Sequence, residues 1–188
     1  MFDGDVVSKI LGFDKFVDLD MRDQTVTKTY MNIPEKHIER IRSAAKFLSE
    51  NGFGPAVYKI TERPGSLQIE MEMVNPLSPY EVPEGINPED LREQINILVE
   101  RLHEADWAHG DLHLENIGLN SEGLPVILDY DTMYHISQGA DEEWLQRWMA
   151  EGFGWEGTYE DFVNYDYENW QTDWLGEEGE EIEIIVDL

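Results

Sequence analysis

Three polar residues in one short stretch constrain this chain more than any other feature. They are Asp111, Asn116 five positions later, and Asp129 thirteen after that. Two apolar runs separate the last two, Ile117 to Leu119 and Val126 to Leu128, and they flank Asn120-Ser121-Glu122-Gly123. A turn-rich linker of that kind between two short apolar runs reads as a hairpin. Such a hairpin brings Asn116, ahead of its first strand, next to Asp129, behind its second. The pair offers oxygen ligands to a hard divalent cation, and Asp111 on the adjoining loop is left to meet a hydroxyl.

Those are the parts that phosphoryl transfer needs: ligands for a cation that neutralises phosphate charge, and a carboxylate that orients the nucleophile. The segment His109-Gly110-Asp111-Leu112-His113-Leu114-Glu115-Asn116 resembles the catalytic loop of the protein-kinase-like superfamily. The form it is most similar to, His-Gly-Asp-x-x-x-x-Asn, belongs to atypical kinases, antibiotic phosphotransferases and sugar or lipopolysaccharide kinases. Asp129-Tyr130-Asp131 stands where that family keeps its metal-binding Asp-Phe-Gly or Asp-x-Asp. The resemblance implies an α+β chain with a truncated two-lobe kinase-like fold. Residues 1–74 would form a small antiparallel-sheet lobe with one helix, 75–88 a linker, 89–175 a reduced helical lobe with the catalytic loop, and 176–188 an acidic tail.

The elements preceding the loop follow from local patterning. Residues 6–20 hold enough apolar residues for one or two strands, with Gly12 at a turn. Thr25 to Tyr30 is β-branched and aromatic, and a strand there places Val26, Lys28 and Tyr30 on one face. A helix starting at Ile33-Pro34 and ending near Glu50, before Asn51-Gly52, buries Ile38, Ile41, Ala45 and Leu48. Ala56 to Ile60 reads as a strand, and Leu67 to Val74 alternates as another. Pro76, Pro79, Pro83, Gly85 and Pro88 mark the linker. Asn87-Pro88-Glu89-Asp90 then opens a helix with a cap, a proline in the first turn and acids at the positive end of its dipole. Leu91, Ile95, Leu98 and Leu102 are its core stripe. Further helices are expected over 141–151 and 159–170.

By resemblance, Lys28 takes the place of the family lysine that grips the α- and β-phosphates, and Glu39 of the helix, or Glu35 a turn earlier, pairs with it. Gly12 marks the turn covering the nucleotide, where the family shows several glycines. Met71 stands as gatekeeper, and Glu72, Met73 and Val74 offer backbone groups to an adenine edge. Asp111 is the catalytic base, and Asn116 and Asp129 hold metal. His109 packs behind the loop and His113 braces it. Asp131 reads either as a second metal ligand or as a charge in place of the family's glycine. ATP and Mg²⁺ are the implied cofactors.

Charge bears on the partner. The formal net charge is −28, yet residues 1–66 carry ten basic and ten acidic residues, so all of it lies in 67–188. That half repels nucleic acid and anionic membranes and attracts cations. A basic protein is the expected substrate, phosphorylated on Ser or Thr. A second reading, of another class, is a non-catalytic pseudokinase-like protein that imitates nucleic-acid charge to inhibit a basic partner. A third is a kinase of a cationic antibiotic or a sugar. With no cysteine, no disulfide framework or thiolate site is expected, and no run is long enough to span a membrane. The cytoplasm, or a host cytosol for a viral or effector protein, is the expected location.

Overall fold

The computed structural model describes residues 6–10 as backbone, together with 13–78, 81–138 and 166. Strands β1 (Val6–Ile10), β2 (Phe13–Asp20), β3 (Thr25–Met31), β4 (Val57–Arg63) and β5 (Ser66–Glu72) form one antiparallel sheet in the order β1-β2-β3-β5-β4. Helix α1 (Glu35–Glu50) joins β3 to β4. The chain then runs through α2 (Pro88–Glu104) and four short strands: β6 (Trp107–Ala108), β7 (Ile117–Leu119), β8 (Pro125–Ile127) and β9 (Tyr134–His135). The protein is thus of the α+β class, with a small antiparallel sheet and two helices among the described residues. The helix expected over 141–151 and the acidic tail lie outside those residues, as does Gly12.

Alternation sets the inward face of the sheet. In β2 and β3, Phe13, Lys15, Lys28 and Tyr30 are buried, and Val17 opposite Lys28 is half-buried. In β5, Leu67, Ile69 and Met71 are buried on the same period of two. Helix α1 covers this face: His37 meets Phe13 with ring centroids 5.7 Å apart, and Ile38, Ile41, Ala44, Ala45 and Leu48 are buried. Pro34 takes the N-cap position with φ −62° and ψ 145°, so the helix starts one residue after the proline. In α2 the side chain of Asn87 accepts from the backbone N–H groups of Glu89 and Asp90, the expected cap.

The second half attaches to the first through α1 and its following turn. Phe47 stacks on Trp107 at 5.3 Å, and Ile127 N–H donates to Phe53 O at 2.7 Å. A single apolar cluster therefore runs from Phe13 through Leu48 and Leu102 to Tyr130 and Met133. The β7–β8 hairpin forms with Ile117 opposite Ile127, and the Asn120 side chain accepts from Glu122 and Leu124 N–H to close its turn. Strand β5 ends at Glu72, two residues short of the expected Val74. Beyond it Val74 and Asn75 leave the sheet and press on Gly118, and Leu77 N–H donates to Ile117 O at 2.7 Å.

A Cβ on Gly118 would lie 2.6 Å from both Asn75 O and Val74 Cγ1. Gly118→Ala is accordingly expected to cost about 1–3 kcal/mol through overpacking. Urea unfolding measures this directly, and an unchanged midpoint would mean that the segment after β5 does not sit against β7. Among the described residues no helix is long and apolar enough to cross a membrane.

Candidate active site

The hairpin and the sheet converge on Asp129. Leu128 N–H donates to Asn116 O at 2.9 Å, which extends the hairpin pairing to the residues at its open end. Asn116 and Asp129 are thereby brought side by side. The Asn116 amide nitrogen donates to Asp111 O at 2.8 Å and meets His113 Nε2 at 3.0 Å. Its orientation is fixed by the loop, and its carbonyl oxygen is the group left to meet a cation.

Asp111 sits on a loop held from behind. Gly110 has φ +78°, a left-handed conformation that glycine adopts without strain. His109 is fully buried; its Nδ1 accepts from Asp111 N–H at 3.2 Å, and its Nε2 is bonded to the backbone oxygen of Asp129. A carbonyl only accepts, so those partners select the neutral tautomer with the proton on Nε2. His109 thus staples the loop of Asp111 to the segment of Asp129, and both its nitrogens are engaged. His113 Nε2 stands 3.9 Å from Asp111 Oδ2, beside the loop as a brace.

A residue that the sequence reading missed anchors the same loop. Asp166 is fully buried, and its carboxylate accepts from His109 N–H at 2.7 Å and Gly110 N–H at 2.8 Å. Its Oδ2 also lies 3.1 Å from His103 Nε2 on α2. Nothing in spacing or periodicity marks Asp166 among thirty-one acidic residues of this half.

The electrostatics of the two site carboxylates diverge. Burial pushes the Asp111 carboxyl above the ordinary aspartate range. Nearby Asp129 and Asp166 push the same way, and His113 beside it pulls it down without cancelling the rise. Burial also acts on Asp129, but Lys28 and Lys15 overcome it and hold that carboxyl far below the usual range. One carboxylate is tuned toward proton uptake, the other held as a fixed negative charge.

Lys28 reaches Asp129 from β3. Its Nζ donates to Leu128 O at 2.9 Å and Asp129 Oδ1 at 3.1 Å, and it lies 4.5 Å from the centroid of the Tyr130 ring. Lys15, also missed, reaches the other oxygen: its Nζ donates to Asp129 Oδ2 at 2.8 Å and is paired with Asp131 as well. Its signal was present in the alternation of Phe13, Lys15 and Val17, which puts a lysine on an apolar face. Asp131 is buried and bonded to Lys15 and to the Tyr30 hydroxyl, so in this structure it anchors the sheet.

The expected partnership of Lys28 and Glu39 is not formed. Glu39 and Glu35 are exposed, and the α1 side chain that reaches the Asp131 segment is Arg40 instead. Arg40 Nη1 donates to Asp131 O at 2.6 Å and Met133 O at 2.7 Å. The reason is rotational: Arg40 lies three residues after buried His37 and four before buried Ala44, next to the core stripe, and Glu39 falls outside it.

Of the remaining predicted positions, Met71 is buried beside Tyr130, its sulfur 3.9 Å from the hydroxyl. Glu72 N–H donates to Ala56 O at 2.8 Å and Met73 N–H to Gln24 O at 2.9 Å. Their amides are therefore engaged in this structure.

The donor set suits magnesium. That ion takes one or two protein ligands and keeps waters and substrate phosphates for the rest. Asn116 and Asp129 would hold it, and among the described residues no cluster of three or more His, Asp or Glu surrounds a single point. No family model matches this sequence, and no curated protein matches it. The functional reading therefore rests on residues and geometry alone.

Proposed function

We propose that this protein is an ATP- and magnesium-dependent phosphotransferase of minimal protein-kinase-like fold, acting on a hydroxyl of a basic protein. The observation that carries the reading is the convergence of Lys28, Asp129, Asn116 and Asp111 on one site from β3, the hairpin and the His109 loop. Chance placement of three acidic or amide residues does not require a buried lysine from a strand 101 residues earlier to complete the set.

In this reading Asp111 accepts the proton of the substrate hydroxyl as its oxygen attacks the γ-phosphorus. The bond from that phosphorus to the β–γ bridging oxygen breaks, and ADP leaves. Lys28 holds the α- and β-phosphates. Magnesium, when bound, supplies neutralisation of charge on the phosphates. His109 and Asp166 keep Asp111 in register with Asp129, and positioning of this kind accounts for much of the rate in such reactions. The charge of residues 67–188 favours a cationic acceptor, so KM for a basic substrate should rise with ionic strength.

The base must be ionised to work, so activity is lost as pH falls through the raised pKa of Asp111. The acid limb of kcat/KM should lie above the roughly 3.9 of an ordinary aspartate. His113→Ala removes a group that lowers this pKa and should move the limb upward; a limb that stays or moves down would contradict the assignment.

Thermal melts with and without Mg²⁺-ATP test the reading. Stabilisation of the parent, absent in Asp129→Asn, supports it. No shift in the parent at millimolar nucleotide would favour the charge-mimic reading, which needs no nucleotide.

A further inference from the structure

Two buried lysines share one carboxylate in this site, and only one is explained by the reading above. Lys15 in β2 lies opposite Tyr30, and Lys28 lies opposite Val17, so both lysines project from the same face of neighbouring strands. Their side chains are 6 % and 9 % exposed. Each takes a different oxygen of Asp129. Lys15 has in addition a partner of its own, the buried carboxylate of Asp131, which the Tyr30 hydroxyl also holds.

We infer that Lys15 is a second phosphate-gripping cation, held by Asp131 and standing in for the backbone cradle that a glycine-rich turn would provide. The assignment rests on the phosphotransferase reading and extends it to a residue outside that set.

Three observations support it. Asp129 Oδ1 is already held by Lys28 and the Tyr130 N–H, and Lys15 is a second ammonium, on Oδ2. A divalent cation arriving at Asp129 must displace an ammonium from its oxygens. Lys15, tethered by Asp131, is then left beside the cation without leaving the site. Finally, residues 6–20 contain a single glycine, Gly12, so the sequence there lacks the repeated glycines of a backbone phosphate cradle. A fixed ammonium supplies donors of its own.

The bland alternative is a neutral clamp, two lysines balancing Asp129 and Asp131. The two differ in what a nucleotide series reports. Calorimetric titration of the full chain with Mg²⁺-ATP, Mg²⁺-ADP and adenosine is the experiment, run on the parent, Lys15→Met and Lys15→Arg. Circular dichroism establishes that each variant is folded. Hydrogen bonds to a charged group are strong enough that Lys15→Met should weaken ATP binding by about 10- to 100-fold. The loss should be smaller for ADP and absent for adenosine, and Lys15→Arg should restore most of it.

Removing Lys15 leaves Asp131 buried and without its cation, so Lys15→Met loses stability for a reason unrelated to phosphate. The Lys15→Gln/Asp131→Asn double variant removes both charges together and should show the same phosphate-dependent loss. A folded variant that binds ATP within about twofold of the parent overturns the role of Lys15 and leaves the phosphotransferase reading standing. A parent that binds no Mg²⁺-ATP overturns both.

Discussion

Asp166→Ala is expected to destabilise the protein by about 2–6 kcal/mol, since each buried donor left unpaired costs about 1–3 kcal/mol. Two such donors are at stake, the N–H groups of His109 and Gly110, both at the back of the loop that carries Asp111. The His103 ring loses its contact with Asp166 as well. Against a total stability of about 5–15 kcal/mol for a domain of this kind, that is a large fraction. Asp166→Asn keeps one acceptor and places an amide against the other donor, so its loss should be smaller but clear. Urea titration followed by tryptophan fluorescence gives both values. A midpoint for Asp166→Ala equal to the parent's would show that the loop is held by something else. Because the loop positions Asp111, whatever phosphotransfer the parent has should fall more steeply in Asp166→Ala than the folded fraction does.

The second large effect belongs to Asp129. Asp129→Ala removes the carboxylate facing Lys28 and Lys15, whose side chains are 9 % and 6 % exposed. Deleting one member of a fully buried pair costs about 3–5 kcal/mol; the Asp129 side chain is 30 % exposed, so water screens part of this and a loss of about 1–3 kcal/mol is expected. Lys15 keeps Asp131, so the uncompensated ammonium is that of Lys28, left with Leu128 O and the face of the Tyr130 ring. The pH dependence carries the sign of this interaction. The carboxyl of Asp129 is depressed in the folded state by Lys28 and Lys15. Its stabilisation is therefore present above the ordinary aspartate pKa of about 3.9 and disappears as pH falls below it. The parent should lose stability on acidification through that region, and Asp129→Ala should lack this contribution and show a shallower decline. Equal slopes for the two proteins would mean that the lysines and Asp129 are not coupled. For the same reason Asp129→Asn, which retains size and a hydrogen-bond acceptor, is the better variant for nucleotide studies.

The local elements were legible because each is written in a short window. The Asn87 cap, the stripe from Leu91 to Leu102 and the Asn120 turn depend on neighbours a few residues apart, and the structure forms all three. The hairpin that joins Asn116 to Asp129 followed from two apolar runs and a turn, so that part of the site could be read along the chain. What stayed hidden depends on contacts between distant segments. Lys15 and Lys28 look alike in sequence as lysines among apolar strand residues, and only the sheet register places both on Asp129. Arg40 and Glu39 are adjacent on α1, and which of them turns inward is decided by how the helix sits on the sheet. Asp166 meets the loop across more than fifty residues of chain. No local pattern distinguishes it from its acidic neighbours.

The most direct measurement is transfer of the γ-phosphate from labelled Mg²⁺-ATP to a basic acceptor protein, by the parent and by Asp111→Asn. The parent is expected to transfer label to Ser or Thr of the acceptor and to stop when magnesium is chelated. Asp111→Asn should bind nucleotide as the parent does and transfer label about 10²- to 10⁴-fold more slowly, the range for loss of a positioned base. A parent that binds Mg²⁺-ATP but transfers at the rate of Asp111→Asn, to protein and small-molecule acceptors alike, would contradict the catalytic assignment of this site.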